Sequence, residues 1–136
     1  MIEMVGEAKT PTGCYLLLIK LSEEEKMKVG KLGTFSFQPG IYCYVGSGMN
    51  GLDQRVRRHL SEDKKKYWHV DYFLEEGEVI ATVKVRTEKD MECELNRFIS
   101  NLAEATPAKG FGSSDCNCES HLHLLQKLQH SGSCKV

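Results

Sequence analysis

GIYCYVGSGMNGLDQRVRRHL, residues 40–60, sets the architecture of this chain. Ile41 to Gly46 is apolar and is interpreted as a strand, which we expect to form a hairpin with residues 34–37 through the turn residues Gln38-Pro39-Gly40. The glycines that follow end the strand. The apolar residues that then recur every fourth position, as in an amphipathic helix, are Leu52, Val56 and Leu60.

Apolar patterning outside this stretch predicts the other elements. Gly13 to Leu21 is apolar on both faces, as in a central strand, and residues 79–85 alternate as a strand does. Residues 91–102 place their apolar side chains on one helical face, whereas residues 22–31 look like a polar excursion. A last helix is expected where Leu122, Leu125 and Leu128 recur. These elements predict an α+β domain in which helices flank a small, mainly antiparallel β-sheet.

The length and composition are those of one folded domain spanning residues 1–136. The chain is 40% hydrophobic and 27% charged, which allows a core and shows no bias toward disorder. The N-terminus lacks a signal-peptide pattern, and the longest apolar run, Tyr15 to Ile19, is too short for a membrane span. We therefore expect a cytoplasmic protein that makes no membrane contact. The cysteines interpreted as small buried hydrophobes are Cys14, Cys43 and Cys93.

The charge of the whole chain gives no attraction to nucleic acid, because the formal net charge is -1. A local basic patch is nevertheless present on and after the predicted helix. On charge alone, a solvated helix face followed by an exposed turn is the simpler explanation. The members of this patch are Arg55, Arg57, Arg58, Lys64, Lys65 and Lys66.

Several short motifs occur in the same order as the signature of the GIY-YIG nucleases, and the chain resembles that superfamily. The matching pieces are Gly13-Cys14-Tyr15, Tyr44-Val45-Gly46, Leu52, Arg55, His59, Glu92 and Leu95. Residues 68–72 (WHVDY) and 110–116 (GFGSSDC) are similar to stretches of the small Uri-type branch. Gly40-Ile41-Tyr42 also spells the first half of the superfamily name, so Tyr42 is kept as the alternative to the assignment of Tyr15 and Tyr44.

The resemblance implies a GIY-YIG nuclease-like fold and an active site that hydrolyses phosphodiesters. It implies that Tyr15 accepts a proton, while Tyr44 bonds to a phosphate or to Tyr15 from the adjacent strand. A tyrosine with an ordinary pKa of about 10 is a poor base at neutral pH, so Tyr15 needs help from Arg55 or from a metal-bound water. The implied catalytic residues are Tyr15, Tyr44, Arg55, His59 and Glu92.

Three of these side chains are chemically suited to the reaction. Arg55 offers a planar fork of donors that matches two phosphate oxygens. His59, one helical turn further on, could orient a water or a tyrosine hydroxyl, although a structural histidine fits this position nearly as well. Glu92 is a hard oxygen ligand for Mg²⁺ or Mn²⁺, although a lone glutamate on a helix border is more often a solvated charge.

DNA is the expected partner, with single-stranded and branched DNA among the candidate substrates, because a neutral single domain suggests recognition of structure over base sequence. The sequence alone does not distinguish these substrates from RNA. The residues expected to bind it are Arg58, Lys64, Lys65, Lys66, Ser114 and Asp115. Two other functions are weighed against the nuclease: a nucleic-acid-binding module without catalysis, and a zinc-stabilised interaction domain. An inactive module has no reason to retain every matching side chain, which favours the enzyme.

A group of soft metal ligands stands near the C-terminus, at Cys116, Cys118, His121 and His123. Structural zinc sites usually combine a short chelating turn with a second pair farther along the chain, so this spacing is crowded. Zn²⁺ held by Cys116, Cys118 and His121 is therefore the less favoured metal prediction. The alternative places Asp115 and Cys116 in a loop that closes the active site, with His121 at the start of the last helix.

Overall fold

The computed structural model describes residues 2–5, 10–62, 65–113 and 116–128. No helix in this part of the chain is both long and apolar enough to cross a bilayer. The elements, in chain order, are β1 (Ile2–Val5), β2 (Gly13–Leu21), β3 (Glu25–Val29), β4 (Gly33–Phe37), β5 (Gly40–Ser47), α1 (Leu52–Leu60), α2 (His69–Phe73), β6 (Glu78–Arg86), α3 (Glu92–Leu102) and β7 (Leu122–Lys127).

The main sheet has five strands in the order β1-β6-β2-β5-β7. Its neighbouring strands are antiparallel, except that β1 runs parallel to β6. As the pattern predicts, β2 is central, and its two faces contact different cores. The expected α+β domain with a mainly antiparallel sheet flanked by helices is confirmed.

The predicted hairpin across residues 38–40 is wrong. β4 pairs with β3, whereas β5 pairs with β2 and β7, so the turn separates two sheets. The reason lies in β3, where Met27 and Val29 are buried between exposed lysines. Because buried and exposed residues alternate, this segment forms an amphipathic strand. Its charges alone had suggested a polar excursion.

The last predicted helix is also wrong, because residues 122–127 form strand β7 at the edge of the main sheet. Leu122 and Leu124 lie in the larger core, and His123, also buried, alternates with them. Because buried His123 lies between two buried leucines, the apolar residues do not show the two-residue period of a strand. Leu122, Leu125 and Leu128 instead recur at the spacing of a helix.

The two faces of the sheet support cores of different size. The larger core contains Tyr15, Tyr42 and Tyr44 together with side chains from α1 and α2. The smaller core consists of the buried residues Cys43, Val45 and Ile99, with partly buried leucines around them. Helix α3 therefore packs on the face opposite α1 and α2, with much less apolar contact.

Candidate active site

The pairing of β2 with β5 places Tyr15 directly opposite Gly46. The Tyr15 ring fills the space above this glycine, so that any Cβ at position 46 would overlap the ring. The glycine of the Tyr44-Val45-Gly46 motif is thus required by the neighbouring strand. A short motif on β5 and a tyrosine on β2 form one unit, as the sequence resemblance implies.

Helix α1 brings His59 to this unit. Its buried residues are Leu52, Val56 and His59, so the histidine lies on the face that packs against the sheet. The Tyr15 hydroxyl lies 2.6 Å from His59 Nε2. The ring of Tyr44 is 6.3 Å from that of Tyr15 and 6.2 Å from that of His59, measured between centroids. Three of the predicted catalytic side chains therefore meet in the larger core.

Burial makes both tyrosines weak acids. Desolvation and the neighbouring Tyr44 raise the pKa of Tyr15 well above its usual value, although the Arg55 guanidinium acts in the opposite direction. Desolvation and the Glu92 carboxylate likewise raise the pKa of Tyr44 far above its usual value. Both hydroxyls therefore carry their protons at neutral pH, and Tyr15 can accept a proton only if it passes its own to a neighbour.

Asp71 is buried behind His59, and no role was predicted for it from the sequence. Its Oδ1 lies 3.8 Å from His59 Nδ1. The carboxylate accepts two hydrogen bonds of 3.0 Å from the Arg58 guanidinium and two from the amides of Tyr67 and Trp68. Burial by itself would raise the pKa of Asp71, but these hydrogen bonds lower it. Asp71 is therefore an anion at neutral pH, held beside the imidazole.

Arg55 lines an open cleft beside the tyrosines. Its Nη1 donates to the Ser47 carbonyl at 3.1 Å, and its guanidinium lies 4.2 Å from the centre of the Trp68 ring. These contacts hold the fork of the side chain in one orientation. The cleft has a volume of about 320 Å³, and its lining residues are Ser47, Met49, Asn50, Arg55, Trp68, Asp90, Glu92, Cys93 and Cys116.

Glu92 belongs to the same cleft. It is the first residue of α3, and 22% of its side chain is exposed. Its Oε2 lies 3.3 Å from His121 Nδ1, and Asp90 adds a second carboxylate to the lining. A partly exposed carboxylate, with a second one nearby, is the kind of donor that Mg²⁺ or Mn²⁺ takes when it keeps most of its waters.

The predicted substrate-binding residues lie in different settings. Arg58 directs its guanidinium inward, to Asp71 and to the Lys65 carbonyl. Lys66 forms an exposed ion pair with Glu75 at 2.9 Å, and Lys65 is exposed. Three further residues, Lys64, Ser114 and Asp115, lie outside the described residues.

Two motif stretches that are far apart in sequence form one wall of the site. The Gly112 amide donates to His69 Nδ1 at 2.8 Å, which joins the stretch 110–116 to the stretch 68–72. Phe111 places its ring 6.1 Å from that of Tyr44. Both stretches therefore support the tyrosine pair, which gives a physical reason for their presence in the sequence.

A group that could hold a metal ion lies on the α3 side of the cleft. Ligand atoms of four residues, which we call the cysteine cluster, lie within 4.8 Å of one another: Cys93, Cys116, Cys118 and His121. His123 is not part of it, because its Nε2 and Nδ1 contact Asn96 Oδ1 at 2.7 Å and Thr106 Oγ1 at 3.0 Å. Cys93 is the residue that sequence reasoning missed, since a single cysteine on a helix carries no ligand signature.

Comparison with known proteins identifies the family of the chain. No curated protein and no solved structure matches it. One family does match, over residues 14–135. That range contains the whole candidate site, from Tyr15 on β2 to His121 before β7. The chain belongs to this family, which is described as Domain of unknown function DUF123.

Proposed function

We propose that this protein is a metal-dependent endonuclease of the GIY-YIG type that hydrolyses phosphodiester bonds in DNA. The observation that carries the proposal is the buried Tyr15 hydroxyl, 2.6 Å from His59 Nε2 and beside the cleft that Arg55 and Glu92 line. This pairing supplies a route for a proton away from an attacking water. The order of the same residues in the sequence resembles the nuclease signature.

Proton transfer is the part of the reaction that the tyrosine pair supports. We assign the ring proton of His59 to Nδ1, which faces the Asp71 carboxylate, so that Nε2 accepts a hydrogen bond from the Tyr15 hydroxyl. When a water attacks phosphorus, Tyr15 accepts the water proton and passes its own to His59 in the same step, so no free phenolate has to form. The Asp71 carboxylate, 3.8 Å from Nδ1, stabilises the imidazolium that results.

Arg55 supports the phosphoryl group. Its guanidinium cannot lose its charge at neutral pH, and its planar fork matches two oxygens of one phosphate. Contacts to the Ser47 carbonyl and the Trp68 ring hold it in place before substrate binds. A preorganised donor of this kind stabilises the charge that builds up on the phosphoryl oxygens.

Glu92 is the residue that would hold Mg²⁺ or Mn²⁺, with Asp90 as its neighbour in the cleft. Its donor is a hard oxygen, open to the cleft and to water, which fits a cation that is bound by one or two carboxylates and by substrate phosphate. When bound, the ion would supply positive charge to stabilise the leaving oxygen. Glu94, two residues further along α3, is exposed and does not line the cleft.

We assign the cysteine cluster to Zn²⁺ and not to the catalytic ion, because thiolate and imidazole are soft ligands that favour zinc over magnesium. The same cluster is the observation that favours the second candidate function, a zinc-stabilised interaction domain. Under that alternative, the purified protein contains zinc and cuts no nucleic acid under any metal condition.

Nucleic acid binding is supported by a surface beside α1 that we call the tyrosine ridge. It consists of Tyr67 and the cations in the clefts on either side of it. Tyr67 is 78% exposed and lies between two clefts. Some of the cations that line these clefts form no ion pair with another described residue. They are Arg57, Lys65, Lys28 and Lys31. An exposed aromatic ring between positive charges suits an unpaired base and its phosphates. This surface favours single-stranded DNA, or the unpaired arm of a branched DNA.

The decisive experiment compares cleavage of labelled single-stranded, duplex and branched DNA, and of single-stranded RNA, with Mg²⁺, Mn²⁺ or a chelator. We expect cleavage of DNA that contains unpaired segments, only with a divalent ion. Glu92→Gln should abolish cleavage and leave folding and most DNA binding intact, whereas the matched control Glu94→Gln should cut normally. Binding without cleavage by the wild type would instead identify an inactive nucleic-acid-binding module.

A further inference from the structure

We infer that the cysteine cluster is a structural zinc site that positions Glu92 for the reaction. The importance of Glu92 rests on the proposed nuclease function, whereas the zinc site itself does not. Three features carry the inference: the ligand set, the tautomer of His121, and the weak apolar attachment of α3.

The ligand set suits a closed tetrahedral site. Zn–S bonds of about 2.3 Å place the ligand atoms of such a site about 3.8 Å apart. The four ligand atoms here lie within 4.8 Å of one another, so the site forms with small side-chain movements. Three thiolates and one imidazole complete the coordination of zinc without a water. That arrangement is typical of structural sites, whereas catalytic sites keep one position open.

The surroundings of His121 determine which of its nitrogens can bind metal. Nδ1 lies 2.9 Å from the Val45 carbonyl oxygen and 3.3 Å from Glu92 Oε2, and both of these atoms are acceptors. Nδ1 therefore carries a proton, while Nε2 lies 3.3 Å from Cys116 Sγ inside the cluster. Zinc on Nε2 would fix this tautomer and strengthen the Nδ1–H donor that faces Glu92.

The first turn of helix α3 has few apolar contacts, since its Leu95 is only partly buried against the small core. Its buried residues are Asn96 and Ile99, both beyond that turn, while Phe98 and Leu102 are exposed. Its N-terminal flanking residue, Met91, makes no side-chain capping bond, and the Glu92 amide instead donates to Asp90 Oδ1 at 3.1 Å. Cys93 therefore offers this turn a further anchor, because a metal ion would link it to the chain at residues 116–121.

Metal analysis of the purified full chain tests the site without any substrate. We expect about one zinc per chain, lost in Cys93→Ser and in Cys118→Ser. Cys43→Ala is the matched control, because it removes a buried thiol from the same small core and should keep the metal. If a serine variant fails to fold, Co²⁺ titration of the wild type replaces it, since thiolate-bound tetrahedral cobalt has distinctive visible bands. Absence of stoichiometric zinc together with absence of that cobalt spectrum overturns the site.

The positioning role needs readouts that a purely stabilising metal would not move. In the zinc-bound wild type, ¹⁵N NMR should show His121 protonated on Nδ1 and metal-bound on Nε2. Loss of zinc should speed amide exchange in the first turn of α3 and leave exchange in α1 unchanged. In cleavage assays with Mg²⁺ present, Cys93→Ser should lower kcat about 10- to 100-fold with little change in KM.

These measurements separate the two proposals. Zinc with the expected tautomer and exchange pattern, but no cleavage by the wild type, overturns the nuclease and leaves the metal site standing. Cleavage by a protein that holds no zinc overturns the metal site alone. Zinc whose removal leaves α3 exchange and kcat unchanged overturns the positioning role.

Discussion

Helices α1 and α3 lie on opposite faces of the sheet and contribute residues to the same cleft, but they are held in different ways. Helix α1 buries Leu52 and Val56 in the larger core, and its Arg58 pairs with the buried Asp71. Helix α3 contributes Ile99 to a small core, and its Asn96 is fixed by hydrogen bonds to Ser120 and His123. Apolar packing is the main anchor of the first helix, whereas the second combines a small apolar contact with polar ones.

The two halves of the site are therefore held in place by different interactions. The half that contains Tyr15, Arg55 and His59 is assembled by burial and by contacts within the protein. The half that contains Glu92 depends on a neighbouring histidine and on the cysteine cluster. Variants that damage chemistry through the α1 half should therefore leave metal content unchanged.

Within the half of the site that contains Arg55 and His59, the largest effect is expected from Tyr15→Phe, which keeps the packing and removes the hydroxyl that faces His59. Loss of a positioned proton acceptor typically slows a reaction about 10²- to 10⁴-fold. Tyr42→Phe is the matched control, because the Tyr42 hydroxyl donates to the Gln38 carbonyl at 2.6 Å, away from the site. Single-turnover cleavage rates should separate the two variants. Greater damage from Tyr42→Phe would mean that Gly40-Ile41-Tyr42 is the true start of the signature.

Arg55→Lys should come next, with a loss of about 10²- to 10³-fold in single-turnover rate. Lysine keeps the charge but lacks the planar fork that contacts two phosphoryl oxygens. Arg57→Ala, an exposed change on the same helix that removes one cation of the tyrosine ridge, should weaken binding but retain the single-turnover rate at saturating enzyme within several-fold. Zinc content should stay at the wild-type level in both variants. Normal cleavage by Arg55→Lys would show that geometry at this position is unimportant.

Much of this arrangement could be predicted from the sequence where the determining contacts are local. Tyr44, Gly46, Arg55 and His59 follow one another through a strand, a turn and one helix, so their spacing fixes their placement. Cys93 could not be recognised, because its partners start at Cys116 and only the fold brings them together. Strand pairing was mistaken for the same reason. The apolar run of β5 pairs with β2 and β7, and not with its neighbour in sequence.

The role of Asp71 was missed for a second reason. It lies in residues 67–74, whose apolar pattern does not distinguish a helix from a strand, and the structure forms the short helix α2 (His69–Phe73) there. Its importance comes from four hydrogen bonds, two from Arg58 on α1 and two from the amides of Tyr67 and Trp68 just before α2. A count of apolar residues carries no information about such a carboxylate, because polar contacts have no sequence period.

A pair of leucines tests the difference in anchoring directly. Leu52→Ala in α1 removes a fully buried side chain and should lower the free energy of unfolding by about 2 to 5 kcal/mol. Leu102→Ala in α3, where the side chain is 63% exposed, should change it by less than about 0.5 kcal/mol. Urea unfolding of both variants gives these values. Equal losses would mean that α3 is held by apolar burial after all.

The smallest effect concerns the tyrosine ridge, which lies beside α1 and away from α3. Lys65→Ala should weaken DNA binding equally for all sequences, because a lysine contact to phosphate carries no base information. Loss of one phosphate contact should reduce the slope of log K against log salt by about 0.7 for single-stranded DNA.

Lys66→Ala should have a smaller effect, since Lys66 is already paired with Glu75. Arg97, exposed on α3, is the control on the opposite face, and its change to Ala should leave the slope unaltered. Binding titrations across a series of salt concentrations measure all three variants. If Arg97 alters the slope and Lys65 does not, the nucleic acid lies against α3, and the assignment of the ridge to the α1 side fails.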